Sequence, residues 1–338
     1  MKKPFLLLLP ILFLLSFYHP CAGQAKDSLP LVTVSGNRFI AAGKPIIFRG
    51  LDASDPDKLE KDGHWNREYF AQAKSWDANI IRFPVHPRAW RSRGQEAYLK
   101  LLDDGVRWAT EVGLYVNIDW HSIGNLRTEM YQNPMYETTR KETYEFWRTM
   151  AAHFKGNTTV AFFELFNEPT VINGQLGLCT WQDWKAMNEE MITIIRAHGA
   201  KAIPLVAGFN WAYDLTPIAK EPINAEGIGY VSHPYPQKRP KPWEEKWTAD
   251  WGFVAKTYPL MLTEIGFCGP DEKGAHIPVI SDESYGEAIT KYCKENGISY
   301  SVWVFDPQWA PMLISDWKFT PTRQGRFFKQ AMLKAGQP

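Results

Sequence analysis

Eight short apolar runs alternate with amphipathic stretches along most of this chain, and no other feature limits the possible fold so strongly. The runs are Ile46 to Leu51, Asn79 to Val85, Tyr115 to Asp119, Ala161 to Phe166, Ile203 to Gly208, Gly229 to Ser232, Leu260 to Glu264 and Ser299 to Phe305. Helical patterns follow them, among them EAYLKLLDDGVRWATEVG, WQDWKAMNEEMITIIRAHG, a short one near Asp214, WEEKWTADWGFVAKTY and SYGEAITKYCKENG. Gly113 and Gly297 end two of these, where a residue without a β-carbon suits a left-handed cap. Eight strand–helix repeats predict an α/β fold, a (β/α)8 TIM barrel. A doubly wound open sheet is the competing fold, but Phe48-Arg49-Gly50-Leu51-Asp52 stands where a dinucleotide-binding glycine loop belongs. Ahead of the repeats, VTVSGNRFIAAGKPIIF alternates apolar and polar residues about Gly36-Asn37, which predicts a short N-terminal β-hairpin closing the bottom of the barrel.

The start of the chain, MKKPFLLLLPILFLLSFYHPCAGQA, pairs Lys2 and Lys3 with an apolar run from Phe5 to Phe17 and small residues near Ala22 to Ala25. That run is too short for a hydrocarbon layer of roughly 30 Å, so residues 1–23 read as an export signal, not a membrane span. Residues 24–338 then form one domain, secreted or periplasmic, with proline-rich QKRPKPW (237–243) as a loop and not a boundary. Cys21 stands where a lipid-bearing cysteine would, but Tyr18-His19-Pro20 before it makes a poor lipidation motif. Without Cys21, three cysteines remain, Cys179, Cys268 and Cys293, and no structural disulfide is expected. A formal net charge of +1 with no block of like charges gives no reason to expect a nucleic-acid or acidic-membrane partner. Fifteen Trp is more than core packing usually asks for, and flat apolar faces suit sugar rings.

In a barrel of this kind the strands' C-terminal ends build the site. Run two ends in Arg82 and His86, run three in Asp119 and His121, and run four in Asn167 and Glu168. Run six leads into His233 and Tyr235, run seven ends in Glu264, and run eight holds Trp303. Pro169 and Pro234 push Glu168 and His233 into extended backbone, which fixes where those side chains point. Two glutamates at strand mouths suit glycosidic bond cleavage, where one carboxyl protonates the leaving oxygen while the other attacks or activates water. Arg82 beside one of them would keep it ionised, and mutual repulsion would keep the other protonated.

With these motifs in place, the chain resembles glycoside hydrolase family five, the cellulase-type family of retaining barrels, over nearly the whole length after the leader. The resemblance implies eight functional residues: Arg82, His121, the Asn167–Glu168 pair, the His233-x-Tyr235 motif, Glu264 and Trp303. It implies that Glu168 is the acid/base and Glu264 the nucleophile, that Asn167 binds the sugar 2-hydroxyl and that Tyr235 supports the nucleophile. Arg82, His121, His233 and Trp303 complete the substrate-binding set, with no metal and no cofactor. Ile265 stands where the family often has Phe, and the loops after runs six and eight match no pattern that would name a substrate.

The expectation is therefore a monomeric, retaining endo-β-glycanase acting on β-1,4-glucan polysaccharide or oligosaccharide, a cellulase-type secreted hydrolase of polysaccharide degradation. A mannanase or xyloglucanase on the same fold is the nearest alternative. A metal-dependent barrel hydrolase using His121, His233 and a glutamate, or a sugar-binding protein on an inactive barrel, would be different in kind. Glu164 shares a strand face with Glu168 and is expected to be a paired structural carboxylate. His86 and Asp119 are either support for the site or plain packing. Of Trp90, Trp211 and Trp309, one or two should be sugar platforms.

Overall fold

The computed structural model describes residues 28–336, so the expected export signal and Cys21 lie outside the described residues. Eight parallel strands close into a barrel: Arg49–Asp52, Ile80–Val85, Tyr115–Trp120, Val160–Glu164, Ile203–Ala207, Gly229–Val231, Leu260–Ile265 and Ser299–Val302. They are strands one to eight below. Each pairs with its sequence neighbour, and strand eight pairs with strand one through Tyr300 to Arg49 and Val302 to Leu51. Gly50 is glycine because strand two passes too close for anything larger, a β-carbon there meeting the Ile80 carbonyl oxygen at 2.2 Å.

Side chains alternate in and out along each strand, and the inward set changes character from bottom to top. Phe48, Ile80, Tyr115, Phe162, Ile203, Leu205 and Met261 fill the lower interior as one apolar cluster. Two or four residues further up the same strands, the inward positions are Asp52, Arg82, Asp119 and Glu164, all fully buried. A barrel plugged by rings below and charges above has one polar end, and the site follows from that.

The expected hairpin is one strand longer: Val32–Ser35, Arg38–Ala41 and Lys44–Ile46 form a three-stranded antiparallel sheet. Phe39 from this sheet packs edge-on against Phe48 and Phe162, which closes the bottom of the barrel. The helices Gln95–Val112 and Glu283–Asn296 end at Gly113 (φ 77°) and Gly297 (φ 64°), both left-handed. Two expected helices are irregular. WEEKWTADWGFVAKTY breaks at Trp251 into Glu244–Asp250 and a 3-10 turn, Gly252–Lys256. After strand five, Asn210, Trp211 and Ala212 take three successive left-handed conformations (φ 60°, 55°, 56°) where an α-helix was expected nearby. The cysteines at 179, 268 and 293 are free and buried. Among the described residues, no helix is long and apolar enough to cross a membrane.

Candidate active site

Arg82 is the centre of the polar end. Fully buried on strand two, its guanidinium holds Glu164 with two hydrogen bonds (2.8 and 3.0 Å), Asn167 Oδ1 at 2.6 Å, Glu264 Oε1 at 2.9 Å and Asp119 Oδ2 at 3.0 Å. Glu164 also accepts from Asn117 Nδ2 and the Thr263 hydroxyl. Burial opposes its ionisation, but the charges and hydrogen bonds of Arg82 and His233 outweigh that and hold the carboxyl down at about 2. Asp52, 3.9 Å from Arg82, has no hydrogen-bond donor on either oxygen among the described residues, and burial raises its carboxyl well above the usual range against the opposing charge of Arg82.

Thr263 and Glu264 are consecutive in strand seven, yet both reach the interior. Alternation alone forbids this. The register between strands seven and eight slips between Leu262 and Ile265, and that irregularity turns Glu264 inward beside Thr263. Glu264 Oε2 then accepts the Tyr235 hydroxyl at 2.7 Å. Burial raises the Glu264 carboxyl above its ordinary value near 4.5, with the charges of His233 and Arg82 opposing and that of Glu168 adding.

Glu168 forms a short parallel bridge with Ile123, extended as its proline neighbour requires. Its Oε1 lies 3.0 Å from His233 Nδ1, whose other nitrogen lies 3.0 Å from Thr263 Oγ1. Because the Thr263 hydroxyl donates to Glu164, it accepts from His233 Nε2–H. Burial works against a charge on His233, but Glu264, Glu164 and Glu168 around it raise its pKa to about 10.

These groups underlie a cleft of about 850 Å³ at the strands' C-terminal ends. His121, Asn167, Glu168, Tyr235, Glu264 and Trp303 line it. Arg82 and His233 have no exposed surface and lie beneath, bonded to carboxylates and not facing the cleft. Trp303 lies parallel to His121, ring centres 5.3 Å apart and planes 2° apart. Of the three loop tryptophans, Trp211 and Trp309 line the cleft, whereas Trp90 is buried between Tyr98 and Phe146. Sequence gave no sign of Lys238, which sits 4.9 Å over the Trp211 ring and donates to the Asn210 carbonyl, or of Gln132, which accepts from the Trp211 indole. Their placement depends on the left-handed turn at residues 210–212.

Donor atoms of Glu168, His233 and Glu264 lie within 4.8 Å of one another, close enough for a metal ion. The chemistry of the set does not fit one. Both His233 nitrogens already face partners and the ring holds its proton to about pH 10, while His121, the other histidine such a site would use, turns Nδ1 to Asp119 at 2.6 Å.

A comparison with family models matches residues 39–308 to cellulase, glycosyl hydrolase family 5. The chain belongs to glycosyl hydrolase family 5. Within that family, the solved β-glucanase SdGluc5_26A of Saccharophagus degradans is 48% identical, with a TM-score of 0.90 over 95% of this chain and 99% of that one. The same glucanase is known in complex with cellotetraose. Endoglucanase A of Butyrivibrio fibrisolvens is 27% identical over 80% of this chain, and an endoglucanase of Bacillus sp. (strain KSM-635) is 27% identical over 64%. This family 5 chain spans 59% and 24% of the lengths of those two relatives.

Proposed function

We propose that this protein is a retaining endo-β-glycanase that cleaves β-1,4-linked glucan by double displacement, with Glu264 as nucleophile and Glu168 as acid/base. The observation that carries this is the carboxylate spacing. An oxygen of Glu168 and one of Glu264 lie within 4.8 Å, near the roughly 5–5.5 Å of retaining glycosidases and short of the ~6.5–9.5 Å that an inverting pair needs for its water.

The donors assign the roles. Glu264 receives Arg82 and Tyr235, two donors that favour its anion and hold one carboxylate oxygen each. Glu168 Oε1 receives the Nδ1–H of cationic His233, which leaves Oε2 for the proton that passes to the leaving oxygen. Once the leaving sugar departs, Glu168 takes a proton from water and the hydroxide displaces Glu264 from the anomeric carbon. Asn167 Oδ1 accepts from Arg82, while its buried Nδ2 has no partner among the described residues and is free to bond the 2-hydroxyl of the sugar being attacked. His121 reads hydroxyls of that sugar and Trp303 supports its ring. Arg82 and His233 act on the sugar only through the carboxylates they orient. Residues 1–23 serve as an export signal, and the mature enzyme works outside the cytoplasm. No step needs a metal.

Similarity to a β-glucanase that binds cellotetraose favours glucan over mannan or xyloglucan. The test is a panel of barley β-glucan, carboxymethyl cellulose, glucomannan, xyloglucan and xylan with product chromatography. Internal cleavage of the β-1,4-glucans, with viscosity falling ahead of new reducing ends, is the expected result. Preference for glucomannan or xyloglucan would reassign the substrate, and no turnover of any of them would make the protein a sugar binder.

A further inference from the structure

Two histidines at neighbouring strand ends are held in the same way. His121 Nδ1 lies 2.6 Å from Asp119 Oδ2, and His86 Nδ1 lies 2.9 Å from Asp55 Oδ2. In each pair the carboxylate oxygen accepts the Nδ1–H, which leaves Nε2 as the ring atom available to the cleft. Asp55 is itself fixed, accepting from the Tyr98 hydroxyl (2.7 Å) and from the backbone of Asp57 (2.7 Å) and His86 (2.9 Å), all buried. That is a costly arrangement for a histidine that merely packs, and His86 lines the cleft.

The rings repeat as well. His121 faces Trp303, and one ring outward His86 stands edge-on to Trp309 (5.3 Å, 72°), with Trp309 stacked on Trp303 at 6.0 Å and 16°. His86 follows strand two and Trp309 follows strand eight, so the outer pair flanks strand one. Strand one lies across the closed barrel from strand five, whose loop carries Trp211, and Glu168 follows strand four. A leaving group protonated by Glu168 belongs on the strand-four and strand-five side, which puts the outer pair beyond the sugar attacked, toward the non-reducing end.

We infer that His86, oriented by Asp55, accepts a hydrogen bond from a hydroxyl of the second sugar on the non-reducing side, with Trp309 beneath that ring. This rests on the proposed glycosidase function. It makes His86 a specificity residue that reads hydroxyl position on a sugar that does not itself react.

The experiment is a cycle between protein and substrate. The kcat/KM is measured for wild type, His86→Ala and His86→Gln on 2,4-dinitrophenyl β-cellobioside and on its derivatives lacking one hydroxyl of the distal ring. His86→Ala should lower the value for the parent by about 10- to 100-fold. One derivative should cost wild type a similar factor and cost His86→Ala less than about twofold, because the partner is already gone. Each comparison is made within one protein, so partial loss of fold cancels. If every derivative costs the variants the same factor as wild type, His86 reads no hydroxyl there and the inference is wrong. Failure of wild type to cleave the parent cellobioside would instead overturn the glycosidase function.

Discussion

The imidazole of His233 bridges two carboxylates of different duty, 3.0 Å from Glu168 on one side and 3.6 Å from Glu164 on the other. Its charge is held by that surrounding, with the pKa raised from 6.5 to about 10. A raised basic group stabilises the fold fully below its unfolded pKa and loses the effect as pH rises through its folded pKa. The difference in melting temperature between wild type and His233→Gln should therefore be constant below pH 6.5 and shrink toward pH 10. A difference that stays flat or grows over that window would contradict a cationic His233.

Tyr235→Phe removes one of two donors to the Glu264 anion. A hydrogen bond to a charged group is worth about 1.5–3 kcal/mol, so kcat/KM should fall about 10- to 100-fold. Burial already lifts the Glu264 carboxyl above 4.5, and losing this donor lifts it further. Activity requires the anion, so the acid limb of the pH profile should begin above 4.5 in wild type and move to still higher pH in the variant. An acid limb unmoved by Tyr235→Phe would separate the two residues functionally.

Trp303 sits in a small apolar cluster at the mouth with Tyr235, Cys268, Val279 and Val304, apart from the main core. Trp303→Ala should cost less than the ~3–5 kcal/mol of a core aromatic while lowering kcat/KM tenfold or more. Equilibrium unfolding alongside kinetics checks this. A full core-sized destabilisation with unchanged kinetics in the folded fraction would make Trp303 a packing residue.

Much of this site was legible because barrel strands impose order on sequence. Residues 82, 121, 168, 233 and 264 could be placed at one end from strand boundaries alone, since the fold brings the strands' C-terminal ends together. The roles of Arg82 and His233 were less legible. Charge and residue type suggest sugar contact, but their depth beneath the carboxylates depends on inward register, which a sequence pattern leaves open by one residue. The slip that turns Glu264 in beside Thr263 has no local signal, and neither has the left-handed turn at residues 210–212, which contains no glycine. Lys238, Gln132 and Trp211 meet only because of that turn. Asp55 is invisible for another reason: it touches the cleft only through His86.

Separate variants distinguish the two glutamates. With an activated aryl cellobioside, Glu168→Ala still lets Glu264 form a glycosyl-enzyme, so added azide should give the β-glycosyl azide. In Glu264→Ala, azide entering the vacated space should give the α product. Glu168→Gln should also lose the basic limb of the pH profile for substrates with good leaving groups. Interchanged azide products, read by NMR, would reverse the two roles.

The most direct test of the mechanism is to catch the covalent intermediate. A 2,4-dinitrophenyl 2-deoxy-2-fluoro-β-cellobioside slows both displacements but has a leaving group good enough for the first, so the glycosyl-enzyme should accumulate. Peptide mapping by mass spectrometry should find the sugar on the peptide containing Glu264 and on no other. Label on the Glu168 peptide, or hydrolysis with no adduct and the α anomer released first from the natural substrate, would contradict the account.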